Sequence, residues 1–330
     1  MGKSTHKQSA IERHYNSKVL MNTIQIQNCD CLVFLKQLED NSVDLIATDP
    51  PYYKVKTIKW DNQWPNRLQY LKWMNQVFKE YARVLKPTGS LYVFANPYLG
   101  SHIELEVEQH FNVLNHIAWR KPSGKFNGCH RASLRKYFPQ TERIIFAESL
   151  KRITFPYESV LNYLKLAIHE AKLTNKDINS LTKTSMSNHW LGRHQFSLIG
   201  EKHYLTLQKY APKLTRPYAQ LYSEFATLRR TRGRRVFNMD KQKPFTDVWD
   251  FKVVQPYKGK HPCEKPADLM EHIISTSSHE GDVVLDTFVG SGSTAKAAHK
   301  LNRNFIGCEF GSDEYSKVVS DLKEEGLQVN

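Results

Sequence analysis

Apolar segments of strand length alternate with amphipathic segments of helix length at both ends of this chain, and that alternation constrains its fold more than any other feature. From residue 23 onward, TIQIQNCD, SVDLIATD and SLYVFAN have the pattern of strands, and RLQYLKWMNQVFKEYARVLK has the pattern of a helix. The alternation returns from residue 266, where DVVLDTF and NFIGCEF are predicted strands. It predicts an α/β fold in which helices cover both faces of a parallel or mixed sheet.

The places where this alternation stops divide the chain. Residues 1–22 lack it and are expected to form a basic N-terminal arm. Residues 151–244 are polar and helical in pattern, so they are predicted to be an insertion. The α/β domain is therefore expected to comprise residues 23–150 and 245–330.

Two consecutive prolines follow the apolar segment VDLIA, in the sequence DPPY at residues 49–52. Pro50 and Pro51 have no backbone N–H, and each proline ring holds φ near about −65°. The chain must therefore leave the predicted strand in a stiff, extended conformation. Taken alone, this segment could also be a rigid turn with no other role.

A glycine-bearing loop joins the predicted strand at 283–286 to a helix that begins near Ser293. Gly290 and Gly292 allow positive φ and close approach of a ligand, and the helix N-terminus presents free N–H groups. Glu309 ends the next predicted strand, where its carboxylate can accept hydrogen bonds from ribose hydroxyls. The loop has neither a Walker lysine nor the fingerprint G-x-G-x-x-G, which disfavours ATP and NAD. A different nucleoside cofactor is expected, with an ordinary strand-to-helix turn as the alternative.

Three motifs together resemble those of the amino-methylating DNA methyltransferases: DPPY at 49–52, HPCEKP at 261–266 and DTFVGSGS at 286–293. Their order is similar to the permuted β class, and most like bacterial and prophage adenine-specific enzymes. The resemblance implies a Rossmann-like, S-adenosylmethionine-dependent methyltransferase fold with a mostly helical inserted target-recognition region. Cys263 and Glu264 stand where the family often has threonine and glutamine, which leaves their roles open.

The resemblance also assigns catalytic residues. The carboxylate of Asp49 and the carbonyl of Pro50 would accept hydrogen bonds from the exocyclic amine of a base, and Pro51 would help to fix both acceptors. Acceptors that are already in position when charge develops stabilise a transition state effectively. Tyr52 would stack on the base after it is flipped out of the duplex.

Cofactor residues follow from the same resemblance. Asp30 would bind the adenine amino group of the cofactor, Cys31 would line its ring and Glu309 would bind the ribose. Asp30 and Cys31 could instead be a helix cap and a core cysteine. Lys265 would bind the methionine carboxylate, with support from His261. The loop residues assigned to the methionine portion are Asp286, Phe288, Gly290, Ser291 and Gly292.

Positive charge favours a nucleic-acid partner. The formal net charge is +14, from 47 Lys and Arg against 33 Asp and Glu. It is concentrated at 119–152, with 9 basic and 2 acidic residues, and at 201–243, with 11 and 3. The alternative is a basic protein that does not bind nucleic acid. For the segment RRTRGRR, at residues 229–235, the alternative is a solvated helix end. The candidate phosphate contacts are Lys121, Arg229, Arg230, Arg232, Arg234 and Arg235.

The insertion also contains the pattern of a helix-turn-helix. TNKDINSLT, with Thr174 as N-cap, precedes SMSNHWLG, a short helix closed by Gly192. A purely structural role for these helices is the alternative. The second helix would present to DNA the side chains of Ser187, Asn188, His189 and Arg193.

Cysteine usage and the N-terminal sequence bear on location. The five cysteines include no Cys-x-x-Cys pair, which argues against a disulfide scaffold and a structural zinc site, so no metal is expected. The first twenty residues lack the apolar stretch of a signal peptide, and no run has the length of a membrane-spanning helix. We therefore expect a cytoplasmic protein that does not bind membranes, either a monomer or a homodimer.

The expected function is transfer of a methyl group from S-adenosylmethionine to adenine N6 in double-stranded DNA. Aspartate before the diproline favours adenine by the resemblance, whereas serine there would favour cytosine. The alternatives are a cytosine-N4 DNA methyltransferase and a non-catalytic DNA-binding regulator with this fold. Single-stranded DNA and RNA stay open as acceptors. Nuclease motifs are not apparent within the chain, and a companion nuclease, as in a restriction-modification pair, stays open.

Overall fold

A mixed β-sheet lies at the centre of the computed structural model, which describes residues 23–54, 62–121, 135, 137, 139–151, 155–232, 237 and 245–330. Within these residues the sheet has eight strands, in the order β1-β8-β7-β2-β3-β5-β4-β6. The strands are β1 (Ile24–Asn28), β2 (Val43–Thr48), β3 (Leu85–Ala95), β4 (Phe111–Arg120), β5 (Thr141–Ser149), β6 (Val248–Asp250), β7 (Val283–Asp286) and β8 (Asn304–Glu309).

Strand directions explain where a site can form. Strands β1, β8, β7, β2 and β3 run parallel, β5 is antiparallel to both β3 and β4, and β6 is parallel to β4. The carboxyl ends of β1, β8, β7 and β2 therefore lie at one edge of the sheet. The amino end of the antiparallel β5 lies at the same edge. In parallel α/β sheets this edge is where ligands bind.

Helices cover both faces of the sheet, as the sequence predicted. The alternation of side chains along β2 separates the two faces: Ile46 packs with one apolar cluster, whereas Leu45 and Ala47 pack with the other. The helices of the first face are α1 (Cys31–Gln37), α2 (Arg67–Val84) and α3 (Gly100–Glu108). Those of the second face are α9 (Ala267–Ser277), α10 (Ser293–Lys300) and α11 (Ser312–Glu324).

A separate helical unit lies between β5 and β6 in the chain. It consists of α4 (Glu158–Glu170), α5 (Asn175–Thr182), α6 (Ser187–Leu191), α7 (Glu201–Gln208) and α8 (Tyr218–Arg232). Its apolar cluster includes Leu164, Trp190 and Tyr204. Two predicted boundaries are confirmed: Thr174 caps α5 through a reciprocal bond with Asp177, and Gly192 is the C-cap of α6. None of the helices in the described ranges combines the length and apolar content that crossing a membrane requires.

Some predictions fall outside the described residues. One is the basic N-terminal arm at 1–22. Another is the pair of phosphate contacts predicted for Arg234 and Arg235. Arg230 and Arg232 lie in α8, but their side chains are outside the description.

Candidate active site

A pocket at the carboxyl edge of the sheet brings together nearly all residues that the sequence singled out for catalysis and cofactor binding. It lies where the segments after β1, β2, β7 and β8 meet the segment before α9. Gly292 is the N-cap of α10 and is not part of the wall. The predicted residues that line the pocket are Asp30, Cys31, Asp49, Pro50, Pro51, Tyr52, His261, Lys265, Asp286, Phe288, Gly290, Ser291 and Glu309.

The diproline turn is held by a helix as well as by its own rings. The Tyr70 hydroxyl, from α2, donates a hydrogen bond to the Pro51 carbonyl at 2.9 Å. The Tyr70 ring packs edge-on against Trp64 at 5.0 Å and stacks on Tyr53 at 5.8 Å. Because α2 is anchored by its buried apolar face, this contact fixes the turn to the body of the protein. The stiffness predicted from the prolines is thus reinforced by tertiary packing.

The two carboxylate oxygens of Asp49 have different surroundings. Oδ2 accepts a hydrogen bond from the Lys265 ammonium. Oδ1 is buried and, within the described residues, has no hydrogen-bond partner, and the same is true of the Tyr52 hydroxyl. Burial, followed by the charges of Asp49 and Glu142, raises the pKa of Tyr52 well above its usual value. Asp49 therefore has one anchored oxygen and one oxygen that can accept a hydrogen bond.

Lys265 is buried between carboxylates of the protein itself. Its Nζ contacts Asp49, lies 3.8 Å from Glu142 Oε2, and is 4.9 Å from the centre of the Phe94 ring. Burial opposes the charged form, but the charges of Asp49 and Glu142 outweigh it and raise the pKa of Lys265. The structure thus pairs Lys265 with Asp49, where the resemblance assigned it to a cofactor carboxylate.

Asp286 organises the loop from within. Its carboxylate accepts hydrogen bonds from Thr48 Oγ1 at 2.8 Å, from the Phe288 N–H at 3.1 Å and from Thr294 Oγ1 at 2.7 Å. Burial raises the pKa of Asp286 to about 6. Asp286 therefore ties β2, the glycine loop and α10 together, and both its oxygens are already engaged.

Backbone conformation in the glycine loop requires glycine at two positions. Gly290 has φ +53° and Gly292 has φ +76°, in the left-handed region that other residues rarely adopt. A Cβ on Gly292 would also lie 2.9 Å from Val318 Cγ2, and one on Gly290 would lie 3.2 Å from His261 Cε1. The Gly290 N–H donates to Glu309 Oε2 at 2.9 Å, so the loop is attached to the end of β8. Burial raises the pKa of Glu309.

Asp30 and Cys31 are a helix cap and a core cysteine, the alternative that the sequence left open, and both also lie at the pocket. Asp30 caps α1 by accepting from the N–H groups of Leu32 and Val33 at 2.9 and 3.2 Å. Cys31 packs in the core, where burial raises its pKa, and both residues also line the pocket. Phe310, which sequence reasoning missed, lines the same pocket and is 67% exposed. The sequence feature that could have indicated Phe310 is its place, as an aromatic residue, directly after Glu309.

This set of groups fits a nucleoside that carries an amino-acid tail. Carboxylates of Asp30 and Glu309 can accept from amino and hydroxyl groups, and Phe288 and Phe310 supply apolar surface for a flat ring. The Gly290 backbone is packed against the His261 ring, so the loop and the segment before α9 meet at this wall of the pocket. Within the described part of the chain, no cluster of His, Cys, Asp and Glu could hold a metal ion.

Some of the predicted DNA contacts are exposed in the structure, and others are buried or paired. Lys121 is only 28% exposed and its ammonium contacts Glu142, so it is not a free phosphate contact. Arg229 is exposed. In the helical unit Asn188 and Arg193 are exposed, as predicted. Ser187 was predicted to face DNA but is fully buried, because α6 packs that side of its single turn and a half against the helical core. That prediction is wrong.

Asn188 and Arg193, which are exposed, and His189, which is half-buried, have partners within the helical unit. Asn188 Oδ1 accepts from Asn175 Nδ2 at 2.7 Å. The Arg193 guanidinium pairs with Glu158 of α4 at 2.7 Å. His189 Nδ1 lies 3.3 Å from the Gln195 carbonyl. These contacts are at the surface, where such pairs contribute little stability and exchange readily with other partners.

Sequence comparison identifies relatives across most of the chain. A family model described as DNA methylase, of the N6/N4 type, matches residues 43–320. The type II methyltransferase M1.MboII of Moraxella bovis is 29% identical over 318 residues, which cover 93% of this chain and 98% of that protein. The DNA adenine methyltransferase YhdJ of Escherichia coli K12 is 27% identical over 294 residues, covering 88% and 79%.

Structural comparison gives the same fold. The complex of M1.HpyAVI with SAM matches with a TM-score of 0.53 at 22% identity, covering 91% of this chain and 99% of that one. The cytosine-N4-specific PvuII DNA methyltransferase matches with a TM-score of 0.51 at 13% identity, covering 94% and 96%. The α/β fold with a Rossmann-like sheet, expected from the sequence, is confirmed as a methyltransferase fold.

Proposed function

Because this chain belongs to the N6/N4 DNA methylase family, we propose that it transfers a methyl group from S-adenosylmethionine to N6 of adenine in DNA. The observation that carries the proposal is Asp49 Oδ1, a buried acceptor without a partner among the described residues, at the start of a doubly fixed diproline turn. The adenine assignment is further supported by the resemblance of DPPY and by the relative YhdJ, a DNA adenine methyltransferase.

The cofactor is S-adenosylmethionine, as in the rest of the family. In our proposal Glu309 accepts from its ribose, Asp30 and Cys31 face its adenine, and the loop from Phe288 to Ser291 lies along its methionine portion. When bound, it supplies an electrophilic methyl group: an N–C bond forms as the S–C bond breaks, and sulfur keeps the electron pair.

The chain's own residues act on the acceptor amine. An adenine amino nitrogen is a weak nucleophile because its lone pair is delocalised into the ring. Asp49 Oδ1 and the Pro50 carbonyl accept hydrogen bonds from its two N–H groups, which favours a more tetrahedral nitrogen and offsets its developing positive charge. After the transfer, the methylated nitrogen releases one proton, for which the Asp49 carboxylate is the adjacent acceptor. Tyr52 stacks on the flipped base. The Tyr70 hydroxyl holds Pro51, so that both acceptors keep their positions as the reaction proceeds.

Cytosine N4 is the second candidate acceptor, and the structural likeness to PvuII methyltransferase favours keeping it in the test. Both bases offer an exocyclic amine to the same pair of acceptors. A DNA-binding regulator without catalysis is the third candidate. The intact set of Asp49, Gly290 and Glu309 opposes it, because a regulator would need none of these groups.

The function is tested by sequencing modified bases in DNA from cells that express the protein, with cells carrying the empty vector as control. The proposal expects N6-methyladenine that is absent from the control, and the flanking sequences report the context. N4-methylcytosine alone would replace the adenine assignment by the cytosine one. Absence of any new modification, with purified protein and S-adenosylmethionine also inactive on DNA, would favour the regulator.

We also propose the organisation that the motif order implies. The chain would be a permuted β-class enzyme, in which residues 23–150 and 245–330 form the catalytic domain and residues 151–244 recognise the target. The separate apolar cluster of α4 to α8 supports an independent role for that helical unit. The exposed Arg229 at its last helix supports a phosphate contact there.

If the helical unit binds DNA, replacing Asn188 and Arg193 with alanine should weaken binding. Loss of one phosphate contact and one base-edge contact is expected to reduce affinity about tenfold or more at fixed low salt. Binding to a fluorescent duplex, the methylation rate and the context preference are the three measurements. If all three stay unchanged in the folded variant, the unit does not bind DNA through this surface.

Glu158→Ala is the matched control for this double variant. It breaks the same surface ion pair, yet it keeps Arg193 and makes its guanidinium available. DNA affinity should therefore be retained or increased. A decrease equal to that of the double variant would assign the effect to lost packing in the helical unit.

A further inference from the structure

Four charged side chains form a row at the carboxyl edge of the sheet, with alternating sign. The row runs from Lys121, after β4, to Glu142 on β5, then to Lys265 before α9 and Asp49 after β2. The ammonium of Lys121 contacts Glu142 Oε1, and that of Lys265 lies between Glu142 Oε2 and Asp49 Oδ2. Two cations thus balance two anions.

Three of the four charged side chains are mostly buried, so the ion pairs between them matter for their positions. The side chains of Lys265, Asp49 and Glu142 are 9%, 17% and 17% exposed. A charge that loses its partner at such depth is strongly destabilised, so each member keeps its neighbour in place. The Lys265 ammonium also lies over the Phe94 ring, which leaves it little freedom to leave the row.

The row ends at one oxygen of Asp49 and leaves the other, which is buried, without a hydrogen bond among the described residues. Lys265 engages Oδ2, while Oδ1 has no hydrogen-bond partner among the described residues. A carboxylate held by one oxygen cannot rotate freely about its terminal bond. The direction of Oδ1 is therefore set by the position of Lys265, and the charge of Glu142, 3.8 Å from Lys265 Nζ, attracts the ammonium to that position.

We propose that Lys265 and Glu142 are positioning residues for the target amine: Lys265 orients the Asp49 carboxylate, and Glu142 acts through Lys265. This inference rests on the proposed function, because it needs an amine at Asp49 Oδ1. In this inference Lys265 acts on Asp49, next to the base that accepts the methyl group, and does not bind the carboxylate of the cofactor. Lys121 completes the row by balancing the charge of Glu142.

The test compares Lys265→Met, Glu142→Gln and the double variant. The measurements are the single-turnover methylation rate at saturating S-adenosylmethionine and DNA, and the dissociation constant of S-adenosylhomocysteine by calorimetry. Misplacement of a catalytic group by about 1 Å can cost about 100-fold in rate, so we expect decreases of about 10- to 100-fold. The dissociation constant should change by less than about twofold, because no contact to the cofactor is lost.

The double variant tests whether Glu142 acts through Lys265. If it does, the double variant should be no slower than Lys265→Met, since effects of residues in one network are not additive. It also removes one charge of each sign, so it carries the rate comparison if Lys265→Met does not fold. Lys300→Met is the matched control, because Lys300 pairs with Glu271 at the surface, away from the pocket; its rate should equal that of the wild type.

Three outcomes would overturn the inference. One is a Lys265→Met protein with an unchanged saturating rate and a dissociation constant raised more than about tenfold, which would make Lys265 a cofactor ligand. Another is an unchanged rate in Glu142→Gln, and the third is an unchanged rate in the double variant. All three presuppose wild-type protein that methylates adenine. If the wild type does not, the proposed function fails instead, and the two failures are thereby distinguished.

Discussion

Replacing Asp49 with alanine should reduce adenine methylation by at least about 10²- to 10³-fold, the loss that follows removal of one preorganised group from a transition state. Oδ1 is the buried acceptor at the pocket and Oδ2 is the end of the charged row, so the substitution removes both. The effect should appear in the single-turnover rate, because the lost acceptor acts in the chemical step.

Binding measurements separate this result from general damage. S-adenosylhomocysteine should bind Asp49→Ala with nearly wild-type affinity, since Asp286 and Glu309 still hold the loop. Asp49→Asn is the matched control, because asparagine keeps the shape and one acceptor oxygen but not the charge. Its methylation rate should lie between those of the wild type and Asp49→Ala. A rate near that of the wild type in Asp49→Ala would refute the catalytic assignment of the whole DPPY segment.

The second large effect is expected at the cofactor. Glu309→Ala should weaken binding of S-adenosylhomocysteine by about 1–3 kcal/mol, the usual loss for a charged hydrogen-bond partner. This corresponds to roughly 5- to 150-fold in the dissociation constant. Calorimetry measures it directly, and unchanged affinity would refute the ribose contact.

Glu309 also holds the glycine loop, and a matched variant separates this role from the proposed ribose contact. Oε2 accepts from the Gly290 N–H, so alanine also releases the glycine loop. Glu309→Gln can keep that acceptor while it loses the charge and one of the two acceptor oxygens. If the ribose contact is real, glutamine should bind the ligand clearly more weakly than the wild type. Full recovery in Glu309→Gln would mean that the residue only holds the loop.

Local sequence patterns were sufficient for most of the fold and for the strand ends that line the pocket. The strands β2, β7 and β8 are short, apolar and bounded by polar residues, so their ends at Thr48, Asp286 and Glu309 could be located from the pattern alone. Parallel strands then bring these ends to one edge, which assembles the pocket without further information. Thr174 was recognisable because a capping box is contained within four residues.

Features that depend on strand direction or packing could not be read in this way. Glu142 lies beside Lys265 at the carboxyl edge of the sheet only because β5 is antiparallel to β3, and no local pattern fixes that direction. Tyr70 looks like one more apolar position of α2, although its hydroxyl reaches Pro51. Ser187 was misplaced because α6 is too short for a reliable amphipathic pattern. Charge counts likewise could not reveal that Lys121 is paired with Glu142.

The hydrogen bond between Thr48 and Asp286 has a consequence for how such enzymes can diversify. These residues end β2 and β7, neighbouring parallel strands, whose separation of about 4.8 Å is a constant of β-sheets. In the proposed mechanism, the gap between the turn assigned to the base and the loop assigned to the methyl donor is thus inherited from backbone geometry. Mutations in the helices would then alter which DNA is chosen while the distance the methyl group must travel stays the same.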